Sequence, residues 1–133
     1  MTVIQNSITL NKPAAEVYEF LADCNHHEQL MPENIYNWSS TQDEARFTIQ
    51  NMAKLALKIE ERVPNALVRF VPAEKAPFDV SMRWTIDDAG EGNSVATLII
   101  EADLNMMMKM LASGPLQKLV DHQVRTLGEV LSH

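Results

Sequence analysis

Gln123 interrupts an otherwise apolar row, and a buried amide left without a partner costs roughly 1–3 kcal/mol. Leu116, Leu119, Val120, Val124, Leu127, Val130 and Leu131 recur at steps of three and four. That spacing places them, with Gln123 near the middle, on one stripe of an α-helix. Such an amide either contacts a ligand or an internal water, or pairs with a side chain of the surface the helix covers. His122 falls on the opposite side of the helix, in solvent, and is no candidate for a catalytic base. Glu61 shares the parity of Leu57 and Ile59, so alternation points it inward near a strand end. Arg69 has no set side, because Leu67 and Val71 compete with Val68 and Phe70. An inward Glu61–Arg69 pair across neighbouring strands would anchor a polar group in an apolar interior. More often, a charge near a strand end reaches solvent.

Other reactive residue types form no constellation. His26, His27 and Glu28 are adjacent, but neighbours on a helix point ~100° apart and no third ligand follows at a suitable spacing. No metal and no cofactor is expected. Cys24 has no evident triad, and no nucleophile elbow, phosphate loop or dinucleotide fingerprint occurs. Tyr36 and Trp38 share a parity, and Trp84 sits in a long apolar row; such aromatics line both cores and ligand cavities. A tyrosine hydroxyl could bind or donate a proton, but no convincing acid–base pair is visible.

The elements that would position these residues follow from periodicity. Thr2 to Asn11 alternates as a strand with one buried face. Asn11 and Pro13 open a short helix with Val17, Phe20 and Leu21 inward; Asn25, with Glu28 in a capping box, opens a second that ends at Pro32. Six strands follow at period two: Ile35 to Ser40, Ala45 to Gln50, Lys54 to Val63, Ala66 to Val71, Phe78 to Asp87 and Ser94 to Asp103. Pro64-Asn65 and the run Asp88 to Asn93 are turns, and Pro72 to Pro77 is a loop. Short links force antiparallel neighbours, and polar residues opposite each apolar row leave one face wet. Only the C-terminal stretch is long enough to cover the other face. The Ser113-Gly114-Pro115 break divides it into a lid-like, Met-rich segment, Leu104 to Ala112, and a gripping helix, Pro115 to Ser132.

The 133 residues suit one domain, 1–133, and an apolar content of 46% suits a packed core. A net charge of −7 with scattered basic residues speaks against nucleic acid and anionic membranes. One cysteine, no signal-peptide pattern and no run of ~18 apolar residues lead to the expectation of a soluble cytoplasmic protein without membrane insertion.

The order strand, two short helices, six strands, long terminal helix resembles the helix-grip fold of the START/SRPBCC superfamily, which includes polyketide cyclase/dehydrase-like proteins. Ile8-Thr9-Leu10-Asn11-Lys12-Pro13 running on to Asp23 looks like its opening, Asn25 to Pro32 like its second helix, and Gly114-Pro115-Leu116 through Leu131 like its terminal helix. The resemblance implies an α+β fold, a seven-stranded curved antiparallel sheet around a long C-terminal helix, with a cavity between them. Candidates to line that cavity are Trp38, Phe47, Leu57, Glu61, Arg69, Met82, Trp84, Leu98, Met107, Met108, Leu111, Gln123 and Leu127. The leading expectation is binding of a small hydrophobic or amphipathic molecule. The alternatives are a cyclase/dehydratase-like enzyme using the same cavity, with no catalytic residue assigned, and a protein-interaction module, a homodimer included.

Overall fold

A computed structural model describes residues 2–51, 53–76 and 78–131. Pro77 and Ser132, expected to end a loop and the terminal helix, lie outside the described residues. The chain runs β1 (Thr2–Leu10), α1 (Ala14–Leu21), a 3₁₀ helix (Cys24–Leu30), β2 (Ile35–Ser40), β3 (Glu44–Ile49), β4 (Ala53–Val63), β5 (Leu67–Pro72), β6 (Val80–Gly90), β7 (Asn93–Ala102) and α2 (Met106–Val130). The seven strands form one curled antiparallel sheet in the order β1-β7-β6-β5-β4-β3-β2. β2 to β7 are thus successive hairpins, and β1 returns to pair with β7 from Thr2↔Ala102 to Leu10↔Ser94. This is the expected α+β helix-grip arrangement. No helix among the described residues is long and apolar enough to cross a membrane.

Turn chemistry sets the hairpins. Asn51, Asn65 and Glu91 hold positive φ, as do Gly90 and Gly92. Asn tolerates the left-handed region because its short side chain bonds locally, and glycine has no Cβ to clash. Apolar residues alternate inward along β7, where Ala96, Leu98, Ile100 and Ala102 are buried. Against this face α2 lays Ala112, Leu116, Leu119, Val120, Gln123, Val124 and Leu127, spaced as an amphipathic helix requires. Gly128 lets the helix approach β1 closely, since a Cβ there would meet the Ile8 side chain.

Three expectations about helices are corrected. Pro13, not Asn11, is the N-cap of α1, and no side chain caps it. The second helix is 3₁₀, and its cap is Asp23, whose Oδ1 accepts from the Asn25 amide at 2.9 Å; Asn25 instead accepts from Ser40 Oγ at 2.7 Å. A carboxylate two residues before a free N–H reaches it without distorting the turn, so the proposed Asn25–Glu28 box does not form. Finally, α2 is continuous through Ser113-Gly114-Pro115, with Pro115 inside it. Gly114 and Pro115 are exposed, so the missing N–H falls on the solvent side, while Ala112 and Leu116 are buried on the packed side. Packing of that face carries the helix past the proline.

Candidate functional site

Two bulges decide which side chains face the interior. In β2 the register shifts between Tyr36 and Ser39, and Asn37 takes a left-handed φ of 56°. The extra residue reverses the alternation. Tyr36 is therefore exposed, whereas Trp38 turns in and stacks on Phe47, ring centroids 5.3 Å apart and 13° from parallel. The expected common side for Tyr36 and Trp38 is thus corrected. In β4 a second shift between Ile59 and Glu61 leaves Glu61 opposite Arg69, both exposed. Arg69 Nε lies 3.4 Å from Glu60, not Glu61. The inward Glu61–Arg69 anchor does not exist, because the bulge turns the strand end toward solvent.

Between the inner face of the sheet and α2 lies a cavity of about 50 Å³. The sheet lines it with residues including Phe47, Leu57, Phe70 and Met82, β2 with Trp38, the 3₁₀ helix with Cys24 and His27, and α2 with Leu116, Leu119 and Gln123. Met31 and Phe78 come from connecting segments. Among the described residues, no Asp, Glu, Lys or Arg lines it.

Of the sequence candidates, Trp38, Phe47, Leu57, Met82 and Gln123 meet at this cavity. Trp84, Leu98 and Leu127 are fully buried in the core beside it and do not line it. Met107 and Leu111 are 72% and 69% exposed, because the N-terminal part of α2 projects from the sheet. Met108 borders a separate surface depression with Asp103 and Phe78. The Met-rich segment is therefore not a cavity wall; only the later turns of α2 are. Phe78 borders both spaces and divides them.

Sequence reasoning passed over His27. A 3₁₀ helix has three residues per turn, so Cys24, His27 and Leu30 stack on one buried face. That period of three is the signal that could have found it. His27 is 2% exposed. Its Nε2 lies 2.8 Å from the Leu21 carbonyl oxygen, and its ring meets Phe70 edge-on at 5.3 Å. A carbonyl only accepts, so Nε2 carries the proton. Burial pushes the pKa down to about 4, against the pull of the Leu21 bond, so the ring is neutral and Nδ1 is bare near pH 7. Nδ1 has no protein partner, and neither do Trp38 Nε1 nor Gln123 Oε1. All three residues line the cavity, whose wall is almost wholly apolar.

The neighbouring groups are structural. His26 Nδ1 donates to the Phe20 carbonyl at 2.8 Å, and its ring stacks on Phe20. The two histidines thus satisfy carbonyls that the end of α1 leaves open. Burial drives the Cys24 thiol up to about 12, with Arg62 pulling the other way, so a reactive thiolate is not formed. Among the described residues, no three His, Cys, Asp or Glu side chains are placed to share a metal ion.

Comparison with known proteins gives fold but no close relative. No family model and no curated protein matches the sequence. Solved structures do match in shape: a START superfamily protein from Mycobacterium smegmatis (TM-score 0.68, 15% identity, covering 97% of this chain and 96% of that one). The chain has the START/SRPBCC fold. This helix-grip chain also matches the protein XoxI from Bacillus cereus at a TM-score of 0.78 and 10% identity, over 98% and 96% of the two chains. The di-domain ARO/CYC BexL, from the BE-7585A biosynthetic pathway, matches at 0.74 and 14% identity; 97% of this chain covers 46% of BexL.

Proposed function

We propose that this chain, folding as one domain, reversibly binds a small, largely apolar molecule in the cavity between the sheet and α2. The observation that carries the reading is an interior space lined by apolar side chains and, among the described residues, free of Asp, Glu, Lys and Arg, with His27, Trp38 and Gln123 as the polar residues of its wall. Apolar burial supplies affinity there, and the polar residues fix orientation. At about 50 Å³ the space holds a few waters, well below the roughly 300–1,000 Å³ of a drug-sized site. A ligand therefore either is very small or displaces flexible wall residues such as Met31 and Met82. Phe78, shared with the outer depression, is the natural point of access.

A cyclase/dehydratase-like enzyme is the second reading, favoured by the bare Nδ1 of His27, a residue of the same cavity wall. A base with a pKa of about 4 is ready at pH 7 but weak, which makes binding the better reading. The test is native mass spectrometry of protein from its own cells, together with NMR titration of small aromatics. Bound apolar mass, and shifts centred on Phe47, Phe70 and Leu119, are expected. An empty protein whose titration moves only surface residues would sink the proposal.

A further inference from the structure

Four of the five arginines pair with a carboxylate: Arg46 with Glu74, Arg62 with Asp43, Arg69 with Glu60 and Arg83 with Glu101. The fifth, Arg125, instead has its Nη2 3.2 Å from His122 Nδ1. A guanidinium only donates, so Nδ1 accepts and the ring proton sits on Nε2. Lys118, His122 and Arg125 stand at i, i+4 and i+7, on one face of α2. Together with Pro32 and Asn34, from the segment before β2, they line a groove of about 590 Å³ on the outside of the helix. Pro32, Pro115 and Leu119 give this groove an apolar part. Among the described residues, Asp121 is the one carboxylate of its wall, and its Oδ1 is taken up by Asn6 Nδ2 and Gln117 Nε2, each at 2.9 Å. Lys118 and Arg125 are exposed, so their charged heads are free to turn toward a ligand.

We propose that this groove is a second binding site, separate from the interior cavity, for a small organic anion. Lys118, Arg125 and His122 Nε2–H hold its carboxylate or phosphate group, and its apolar body lies against Pro32, Pro115 and Leu119. Arg125 then exchanges a neutral imidazole nitrogen for an anionic oxygen, and a hydrogen bond charged on both sides is roughly twice as strong as a neutral one. A net charge of −7 repels polyanions and anionic surfaces, so the groove suits one small anionic head. Its volume falls within the roughly 300–1,000 Å³ of small-molecule sites. Among the described residues, Leu119 alone lines both the groove and the cavity, and the proposal is independent of what the cavity binds.

Benzoate and phenyl phosphate are titrated by NMR, with benzyl alcohol as the neutral counterpart and inorganic phosphate as the head group alone. The organic anions should shift the side-chain resonances of Asn34, His122 and Arg125, and benzyl alcohol should bind there far more weakly. Inorganic phosphate should bind more weakly than phenyl phosphate, because it lacks the apolar body. Arg125→Met and Lys118→Met leave the fold intact, since both side chains are exposed. Each should weaken the anions about fivefold and leave benzyl alcohol unchanged. Added salt should weaken the anions in the same way. Binding of only one of the two organic anions supports the site and names its head group. Benzyl alcohol binding there as tightly as benzoate overturns the proposal, as does anion affinity indifferent to both substitutions. Inorganic phosphate binding as tightly as phenyl phosphate reduces the groove to a counterion patch and overturns it too. Shifts confined to Phe70 and Met82 would place the anion in the cavity, which overturns this proposal and leaves the reading of the cavity standing.

Discussion

His27 Nε2 lies 2.8 Å from the carbonyl oxygen of Leu21, the last residue of α1. This one bond does two things. It closes an open carbonyl at the helix end, and it assigns the ring proton to Nε2, leaving Nδ1 buried without a hydrogen-bond partner. A structural bond thus sets the chemistry of the site.

The same burial makes stability depend on pH. Above about pH 6.5 the ring is neutral in both the folded and the unfolded chain, so His27 contributes no pH dependence there. Between 6.5 and about 4 the unfolded chain binds a proton that the folded chain does not, so stability falls as pH falls. The loss levels off below about 4, at roughly 3 kcal/mol. Urea unfolding from pH 7.5 down to 4 should show this slope (a pH range chosen about the His pKa), and His27→Gln should flatten it. Parallel curves for the two proteins would contradict the assignment.

Asn37 holds the left-handed conformation that turns Trp38 inward. A β-branched residue there should cost about 1–2 kcal/mol, while glycine should be nearly neutral. Asn37→Val should therefore lower the urea midpoint and increase solvent quenching of Trp38 fluorescence, in a Trp84→Phe background that isolates the signal. Equal stability of the Val and Gly variants would mean that the bulge does not depend on that backbone conformation.

How much of this was legible beforehand can be judged strand by strand. All seven strands and the hairpin succession of β2 to β7 follow from period-two alternation and turn residues, because a one-sided sheet must alternate, whereas the return of β1 to pair with β7 is a long-range contact that neither signal specifies. Side assignments held within unbroken ladders, as for Phe47 and Leu57, and failed across each bulge, as for the side expected to be shared by Tyr36 and Trp38 and for Glu61. One extra residue inverts every later parity, and no composition signal marks where it falls.

Arg62 ties three segments together. Its guanidinium donates to the Ala22 carbonyl at 2.9 and 3.1 Å, to the Gln42 carbonyl at 3.3 Å and to Asp43 Oδ1 at 2.8 Å. The end of α1 is thereby joined to the β2–β3 turn. Arg62→Met should cost about 1–3 kcal/mol by chemical denaturation. Arg62→Lys should recover little, because a single ammonium cannot reproduce the fork. Full rescue by lysine would show that charge alone matters.

Pro115 leaves a gap in the helical ladder at an exposed position. Pro115→Ala restores the N–H and should raise stability by about 1–3 kcal/mol, measured by thermal unfolding. A destabilised variant would mean that the chain does break at Gly114, as its sequence alone suggests.

Periodicity by itself determined the architecture: the hairpin order, the apolar face of each regular strand, and the stripe of α2 that contains Gln123. Those are local consequences of burying one face, so they are written in residue spacing. Tertiary structure decided which of the aromatic and polar residues meet. It took Trp38 in and Glu61 out through bulges, carried α2 past Pro115 because its packed side outweighs one missing hydrogen bond, and left the Met-rich turns outside. It also brought His27, Trp38 and Gln123, far apart in the chain, around one small cavity. Whether a buried polar atom finds a partner depends on every neighbour at once, and that is fixed only when the sheet has closed on the helix.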